Sequence, residues 1–170
     1  NSFFRYAGAE GMGFPAIIRD GISVGAVYDA NIGPFTYRSG AAAYTTSADR
    51  ITPFSQRLHE STSSATRTDI FAPGAALTST GYLSDHGEST MHGTSQASPV
   101  IAGCVLLIQE HYFHVNGILP TVDEIESLLR RSAVSLNDGD NEDDNVANTG
   151  KNFPRVDIYA ALQLVGPPTE

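Results

Sequence analysis

The sequence HGTSQASP, residues 92–99, places the hydroxyl of Ser95 between a glycine turn and the apolar run Val100–Ile108. This run predicts a helix that begins at Ser95 and is buried all round, because almost no polar side chain occurs before Gln109. The N–H groups at a helix start have no partner within the helix, so they suit a developing negative charge. The stretch therefore predicts an anion site or, as the simpler alternative, a helix cap supplied by Thr94 or Ser95.

Short apolar segments on both sides of this stretch predict an α/β fold with a mainly parallel sheet. The segment Ile22–Val27 is nearly all apolar, so it predicts a strand buried on both faces, and Gly25 within it indicates close approach by another element. Further short strands are predicted at Thr52–Ser55, Thr68–Pro73, Ala75–Thr80 and Arg155–Val156.

Two more helices are predicted after the central one. The segment Thr121–Val134 has an apolar stripe, and Thr121 with Glu124 fits a capping box. A closing helix is predicted at Asp157–Leu164. At 170 residues the chain has the length of one domain, which we expect over residues 1–166, with 167–170 as a tail.

The composition excludes several classes of protein. The formal charge is −9 and Lys151 is the only lysine, so nucleic acid is not expected as a partner, because phosphate binding needs clustered basic residues. No apolar run approaches the length of a membrane span, and no membrane partner is expected. The single cysteine, Cys104, excludes an internal disulfide framework.

The acidic run Asn137–Asn145 resembles a calcium loop only loosely. Counted from Asp138, the sixth residue is Asp143 rather than glycine and the twelfth is Thr149 rather than glutamate, so the EF-hand pattern fails. The run predicts a solvated loop. A structural calcium site at residues 138–144 is the weaker alternative, and no other cofactor or metal is expected.

The segment Gly93–Gly103, GTSQASPVIAG, closely resembles the serine signature of the subtilisin-like serine proteases, GTSxA[ST]Pxx[AS]G. Three flanking segments resemble the same family in the family's order: ISVGAV (22–27), DIFAPG (69–74) and NFPRVDIYAAL (152–162). The resemblance covers most of the chain and implies the C-terminal portion of the family's three-layer fold.

The resemblance implies that Ser95 is the nucleophile of an acyl-enzyme mechanism and that its backbone N–H is one oxyanion donor. The family's second donor is an asparagine side chain, for which two positions compete. Asn1 fits the usual length of the loop up to Pro15 and is the position we expect. In the alternative, AGAEG (7–11) stands for the family's AGNEG, and Ala9 occupies the donor's place.

The family's aspartate and histidine precede its serine in the chain, so both are expected upstream of Asn1. Neither His92, only three residues before Ser95, nor His86 is placed by any pattern to replace them. The resemblance thus implies the C-terminal half of a secreted serine endopeptidase acting on polypeptides, which we expect to be inactive without its N-terminal half. A non-catalytic domain that keeps the fold for binding or scaffolding is the alternative.

Overall fold

The computed structural model describes residues 10–14, 16–18 and 21–167. Asn1, Ala9 and the tail residues 168–170 lie outside this part. In chain order the strands and helices are β1 (Val24–Tyr28), β2 (Phe35–Thr36), β3 (Ala42–Ala43), β4 (Ile70–Ala75), β5 (Leu77–Thr80), β6 (Glu88–Met91), α1 (Thr94–Asn116), α2 (Val122–Arg131), β7 (Val134–Asn137), β8 (Asn152–Arg155) and α3 (Ile158–Val165).

The central sheet has the strand order β1-β4-β8-β7. Strands β1, β4 and β8 run parallel to one another, and β7 pairs antiparallel with β8 at the edge. Strands β1 and β4 correspond to the strands predicted at Ile22–Val27 and Thr68–Pro73, with bounds that differ by one or two residues. The α/β fold with a mainly parallel sheet is confirmed.

The two faces of the sheet are covered differently. Alternate residues of β1 and β4, including Ala26 and Ile70, pack against all three of the helices given above. The residues between them, Val27 and Phe71, pack on the other face against Ile51 and other apolar side chains from outside these helices. Because both faces are covered, the strands read as continuous apolar runs.

Gly25 of β1 pairs with Phe71 of β4. A Cβ atom at this position would lie 2.3 Å from a ring carbon of Phe71, a distance that no real contact reaches. The close approach predicted from the sequence is therefore confirmed, and its cause is the aromatic ring on the neighbouring strand.

The strand predicted at Thr52–Ser55 is wrong. The Thr52 N–H donates to the carbonyl of Ala26 at 3.0 Å, and the Ser55 hydroxyl accepts from the Ala26 N–H at 2.9 Å. Side-chain and turn hydrogen bonds thus satisfy the β1 backbone here, and only Ile51 forms a bridge with Val27.

Helix α1 begins at Thr94, one residue before the predicted start, but it is not buried all round. Its buried residues lie on one face: Ala97, Ile101, Cys104 and Ile108. On the opposite side Leu106 is 65% exposed and Leu107 is 48% exposed. The prediction of burial all round is therefore wrong: the described elements cover one face of the helix, and apolar side chains on the other face are exposed.

The acidic loop is not uniformly solvated. Asp138 is fully buried and forms an ion pair with the Nε of Arg57 at 3.1 Å, while the Thr149 N–H donates to the same carboxylate oxygen at 2.7 Å. Burial is the largest effect on Asp144 and raises the pKa of its carboxyl group. Within residues 10–14, 16–18 and 21–167, no three histidine, cysteine or acidic side chains are grouped to hold a metal ion.

Candidate active site

The turn before α1 is packed against the carboxyl end of β4. The Gly93 N–H donates to the carbonyl of Gly74 at 2.7 Å. A Cβ atom on Gly74 would lie 2.8 Å from the Gly93 carbonyl oxygen and 2.7 Å from the Cβ of Ala26, so only glycine allows this approach. Ser95 therefore lies beside the carboxyl edge of the parallel strands, where ligands commonly bind in α/β folds.

The start of α1 carries no side-chain cap. Gly93 is the N-cap residue, and its carbonyl accepts from the N–H groups of Gln96 and Ala97. The N–H groups of Thr94 and Ser95 have no acceptor within the described residues. The cap alternative is therefore wrong: neither hydroxyl closes the helix start, and the described part of the chain leaves these two N–H groups open to an anion.

The Ser95 side chain is exposed, and no group among the described residues accepts a hydrogen bond from it. The nearest histidine along the chain, His92, is engaged elsewhere. Its Nδ1 lies 3.3 Å from the Tyr37 hydroxyl, and its ring stacks on Phe35 with a centroid distance of 4.5 Å. Among the described residues His92 therefore makes no hydrogen bond to Ser95. That the base is supplied from upstream of Asn1 stays a prediction.

The hairpin β5–β6 leads directly into the serine turn. Residues of the two strands pair antiparallel from Leu77 with Met91 to Thr80 with Glu88, and the hydroxyls of Thr78 and Thr90 lie 2.7 Å apart. The sequence predicted a strand at β5 but none at β6. Strand β6 is largely exposed and has no apolar alternation that would mark it as a strand.

Sequence reasoning also missed the aromatic surroundings of His92. Phe35 and Tyr37 occur at the spacing of two that places side chains on one side of a strand, and this was the only available signal. Nothing in that spacing relates them to a histidine 55 residues from Tyr37. The two other predicted positions, Asn1 and its alternative Ala9, lie outside the described residues.

Helix α1 is the longest helix in the described portion, and neither it nor α2 or α3 is long and apolar enough to cross a bilayer.

Comparisons with known proteins agree with this geometry. The profile of the subtilase family, peptidase S8, matches residues 4–153. The alkaline extracellular protease of Yarrowia lipolytica is 36% identical over 64 residues, which are 38% of this chain and 13% of that protein. The subtilisin-like serine protease Pen ch 18 of Penicillium rubens is 61% identical over 36 residues, 21% of this chain and 7% of that protein.

Solved structures match over much more of the chain. The prenylagaramide maturation protease PagA has a TM-score of 0.62 at 20% identity, covering 95% of this chain and 48% of the protease. The patellamide maturation protease PatA has a TM-score of 0.58 at 19% identity, covering 91% and 46%. The chain spans less than half the length of each, and at such identities the likeness shows the fold. Since the family profile covers most of the residues, the chain belongs to the subtilase family.

Proposed function

We propose that this chain is the C-terminal half of the catalytic domain of a serine endopeptidase, with Ser95 as its nucleophile. The observation that carries the proposal is the position of Ser95 at the uncapped start of α1, beside the carboxyl edge of the parallel strands. Both reported relatives are named proteases, and one of them is named a subtilisin-like serine protease, which supports the same reaction.

The proposed reaction begins when the Ser95 Oγ attacks a peptide carbonyl carbon. A histidine from the N-terminal half takes the hydroxyl proton, and an aspartate from that half orients the histidine. The oxyanion is held by the Ser95 N–H and by the side chain of Asn1. The histidine then gives its proton to the leaving amine, and water hydrolyses the acyl-enzyme.

The second oxyanion donor has two candidate positions. Asn1 fits the length of the loop up to Pro15, whereas the AGAEG alternative puts Ala9 in the donor's place. The family match begins at residue 4, so it includes Ala9 and leaves Asn1 outside. If Ala9 stands at the donor position, the site lacks one donor, and this favours the second candidate function, a non-catalytic subtilase-like domain that binds polypeptides.

The exposed face of α1 fits an interface with the N-terminal half. Leu106, Leu107 and Phe113 are each about half exposed or more, and the small residues Ala102 and Gly103 lie on the exposed surface of the same helix. Contiguous exposed apolar surface of this kind marks a protein interaction site. This chain corresponds to less than half of each solved relative. We propose that the N-terminal half of the catalytic domain covers the exposed face of α1.

We further propose that the whole protein acts outside the cell. One relative is named an extracellular protease, and an acidic surface with a single lysine suits that setting. Neither nucleic acid nor a membrane is included among the proposed partners.

Labelling of the full-length protein with a fluorophosphonate tests the proposal directly. We expect one adduct on Ser95, located by mass spectrometry, and loss of both labelling and peptide hydrolysis in Ser95→Ala. The matched control is Ser98→Ala on the same helix turn, whose hydroxyl donates to the Thr94 carbonyl and leaves the nucleophile intact. Absence of any adduct on the native protein would favour the non-catalytic function.

The isolated 170-residue chain should hydrolyse no peptide, because its base is expected in the other half. Hydrolysis by this chain that disappears in Ser95→Ala would contradict that division of the catalytic residues.

A further inference from the structure

We propose that His92 is a positioning residue for Ser95, held in place by an aromatic clamp that consists of Phe35 and Tyr37. The proposal rests on the proposed role of Ser95 as nucleophile. It assigns His92 no contact with the substrate: the imidazole fixes the turn from which α1 starts.

The clamp holds the imidazole from two directions. Phe35 stacks on it, with ring planes 20° apart and centroids 4.5 Å apart. Tyr37 meets it edge-on, with centroids 5.6 Å apart, and the Tyr37 hydroxyl lies 3.3 Å from Nδ1. A stacked ring, an edge-on ring and a hydrogen bond together restrict both the position and the rotation of the His92 side chain.

The clamp is anchored in the central sheet. The Tyr37 hydroxyl lies 3.0 Å from the hydroxyl of Tyr28, which is 2% exposed and belongs to β1. The Tyr37 ring also packs edge-on against Phe54 at 4.8 Å. These contacts fix the position of His92 relative to β1. Strand β1 lies beside β4, and the serine turn packs against β4.

All three groups in this chain of hydrogen bonds are uncharged. Burial raises the pKa of both Tyr28 and Tyr37, so both hydroxyls keep their protons at neutral pH. Burial lowers the pKa of His92, so its imidazole is neutral. When the His92 proton is on Nε2, Tyr28 donates to Tyr37 and Tyr37 donates to the Nδ1 of His92. Because Nδ1 is engaged with the Tyr37 hydroxyl in either tautomer, His92 is suited to positioning rather than to proton transfer through that atom.

The effect reaches Ser95 through Gly93 and Thr94. His92 directly precedes Gly93, which caps α1 and donates its N–H to Gly74 at 2.7 Å. Holding the side chain before this glycine limits the rotation of the turn, and so fixes the direction of the first helical residues. The direction of these residues determines where the open N–H and the hydroxyl of Ser95 point.

The test is a double-mutant cycle in the full-length protein, measured as the fluorophosphonate labelling constants kinact and KI. Tyr37→Phe removes one hydroxyl and keeps the ring; we expect kinact to fall about fivefold with KI unchanged, the size of one lost hydrogen bond. The exposed Tyr44→Phe is the matched control and should leave both constants unchanged. In a His92→Asn background, Tyr37→Phe should have no further effect, because it acts through His92.

Hydrogen exchange supplies a readout that does not depend on activity. In Tyr37→Phe, a peptide covering residues 89–96 should exchange faster, since the Gly93 to Gly74 hydrogen bond opens more often. The proposal is overturned if Tyr37→Phe behaves like Tyr44→Phe in both measurements, or if the effects of Tyr37→Phe and His92→Asn simply add. If native Ser95 is not labelled at all, the proposed function fails, and the exchange rates alone decide whether His92 positions the turn.

Discussion

The two longest helices of the described residues start in opposite ways. Helix α1 starts at Gly93 with no side-chain cap and no acidic residue in its first turn. Helix α2 starts at Thr121 with a complete capping box, in which Thr121 and Glu124 each satisfy the other's backbone N–H, and Asp123 adds a second acidic group. Both starts present N–H groups that need acceptors.

The difference separates a helix start that its own chain caps from one that has no side-chain cap, and under the proposed function the second is left open for a ligand. At α2 the chain itself supplies the acceptors and the negative charge that the helix dipole favours. At α1 the cap position is a glycine, and the N–H groups of Thr94 and Ser95 meet no acceptor from the described residues. An uncapped start in the chain's longest described helix has a stability cost, which is consistent with a role in binding a transient anion.

Closing the start of α1 should have the largest effect. The backbone at Gly93 is extended, so Gly93→Asp is accommodated there. The new Cβ would lie 2.7 Å from the flexible end of the Gln96 side chain and 3.6 Å from the Ser95 nitrogen, which is an ordinary contact distance. The new carboxylate would accept from the open N–H groups and repel the oxyanion, so we expect kinact for fluorophosphonate labelling of Ser95 to fall at least about 1,000-fold. Thermal stability should be equal or higher.

Gly93→Asn separates charge from capping in the same assay. Asparagine caps the helix without a charge, so labelling should fall less than with aspartate. Labelling that survives Gly93→Asp would contradict the contrast between the two helix starts.

The second oxyanion donor gives the next largest effect. If Asn1 is the donor, Asn1→Ala in the full-length protein should lower kcat about 100-fold with little change in KM, a size known from subtilisin itself. Ala9→Asn should then leave kcat unchanged. The reverse result, a gain of activity in Ala9→Asn and no loss in Asn1→Ala, would place the donor position at residue 9 and show that the native site lacks one donor.

Local patterns were predictable from the sequence, and contacts between distant segments were not. The capping box of α2 depends on Thr121 and Glu124, three residues apart, and was predicted correctly. The strands β1 and β4 were predicted because burial on both faces leaves an apolar run. The contact between Tyr37 and His92 joins residues 55 positions apart, for which the sequence offers no periodicity.

The exposed side of α1 shows a second limit of the sequence. Leu106 and Leu107 are apolar like the buried Ile108, so the pattern predicted burial all round. A pattern reports which side chains avoid water, and it does not report whether the segment that covers them is present in the same chain.

Removing the cap of α2 should affect stability and leave the reaction unchanged. Thr121→Ala deletes the acceptor for the Glu124 N–H, so we expect a loss of about 1 kcal/mol in the free energy of unfolding. Urea denaturation in a Ser95→Ala background measures this without self-cleavage, and labelling in the native background should be unchanged. A drop in labelling comparable to that of Gly93→Asp would contradict the view that the α2 start serves stability and the α1 start serves the reaction.

The smallest effect concerns the pH dependence of the same cap. The Thr121 backbone N–H, followed by the hydroxyls of Thr121 and Tyr112, lowers the pKa of Glu124. Because the folded-state pKa is lowered, the stabilisation is present above the ordinary glutamate pKa and is lost as the pH falls through the lowered value. The difference in unfolding free energy between the native residue and Glu124→Gln should therefore be largest near neutral pH and shrink towards pH 3. Glu110→Gln on the exposed side of α1 controls for the general change in charge. A difference for Glu124→Gln that is independent of pH, or matched by Glu110→Gln, would show that the ionised carboxylate adds nothing specific to the cap, and the contrast with α1 would then rest on the threonine alone.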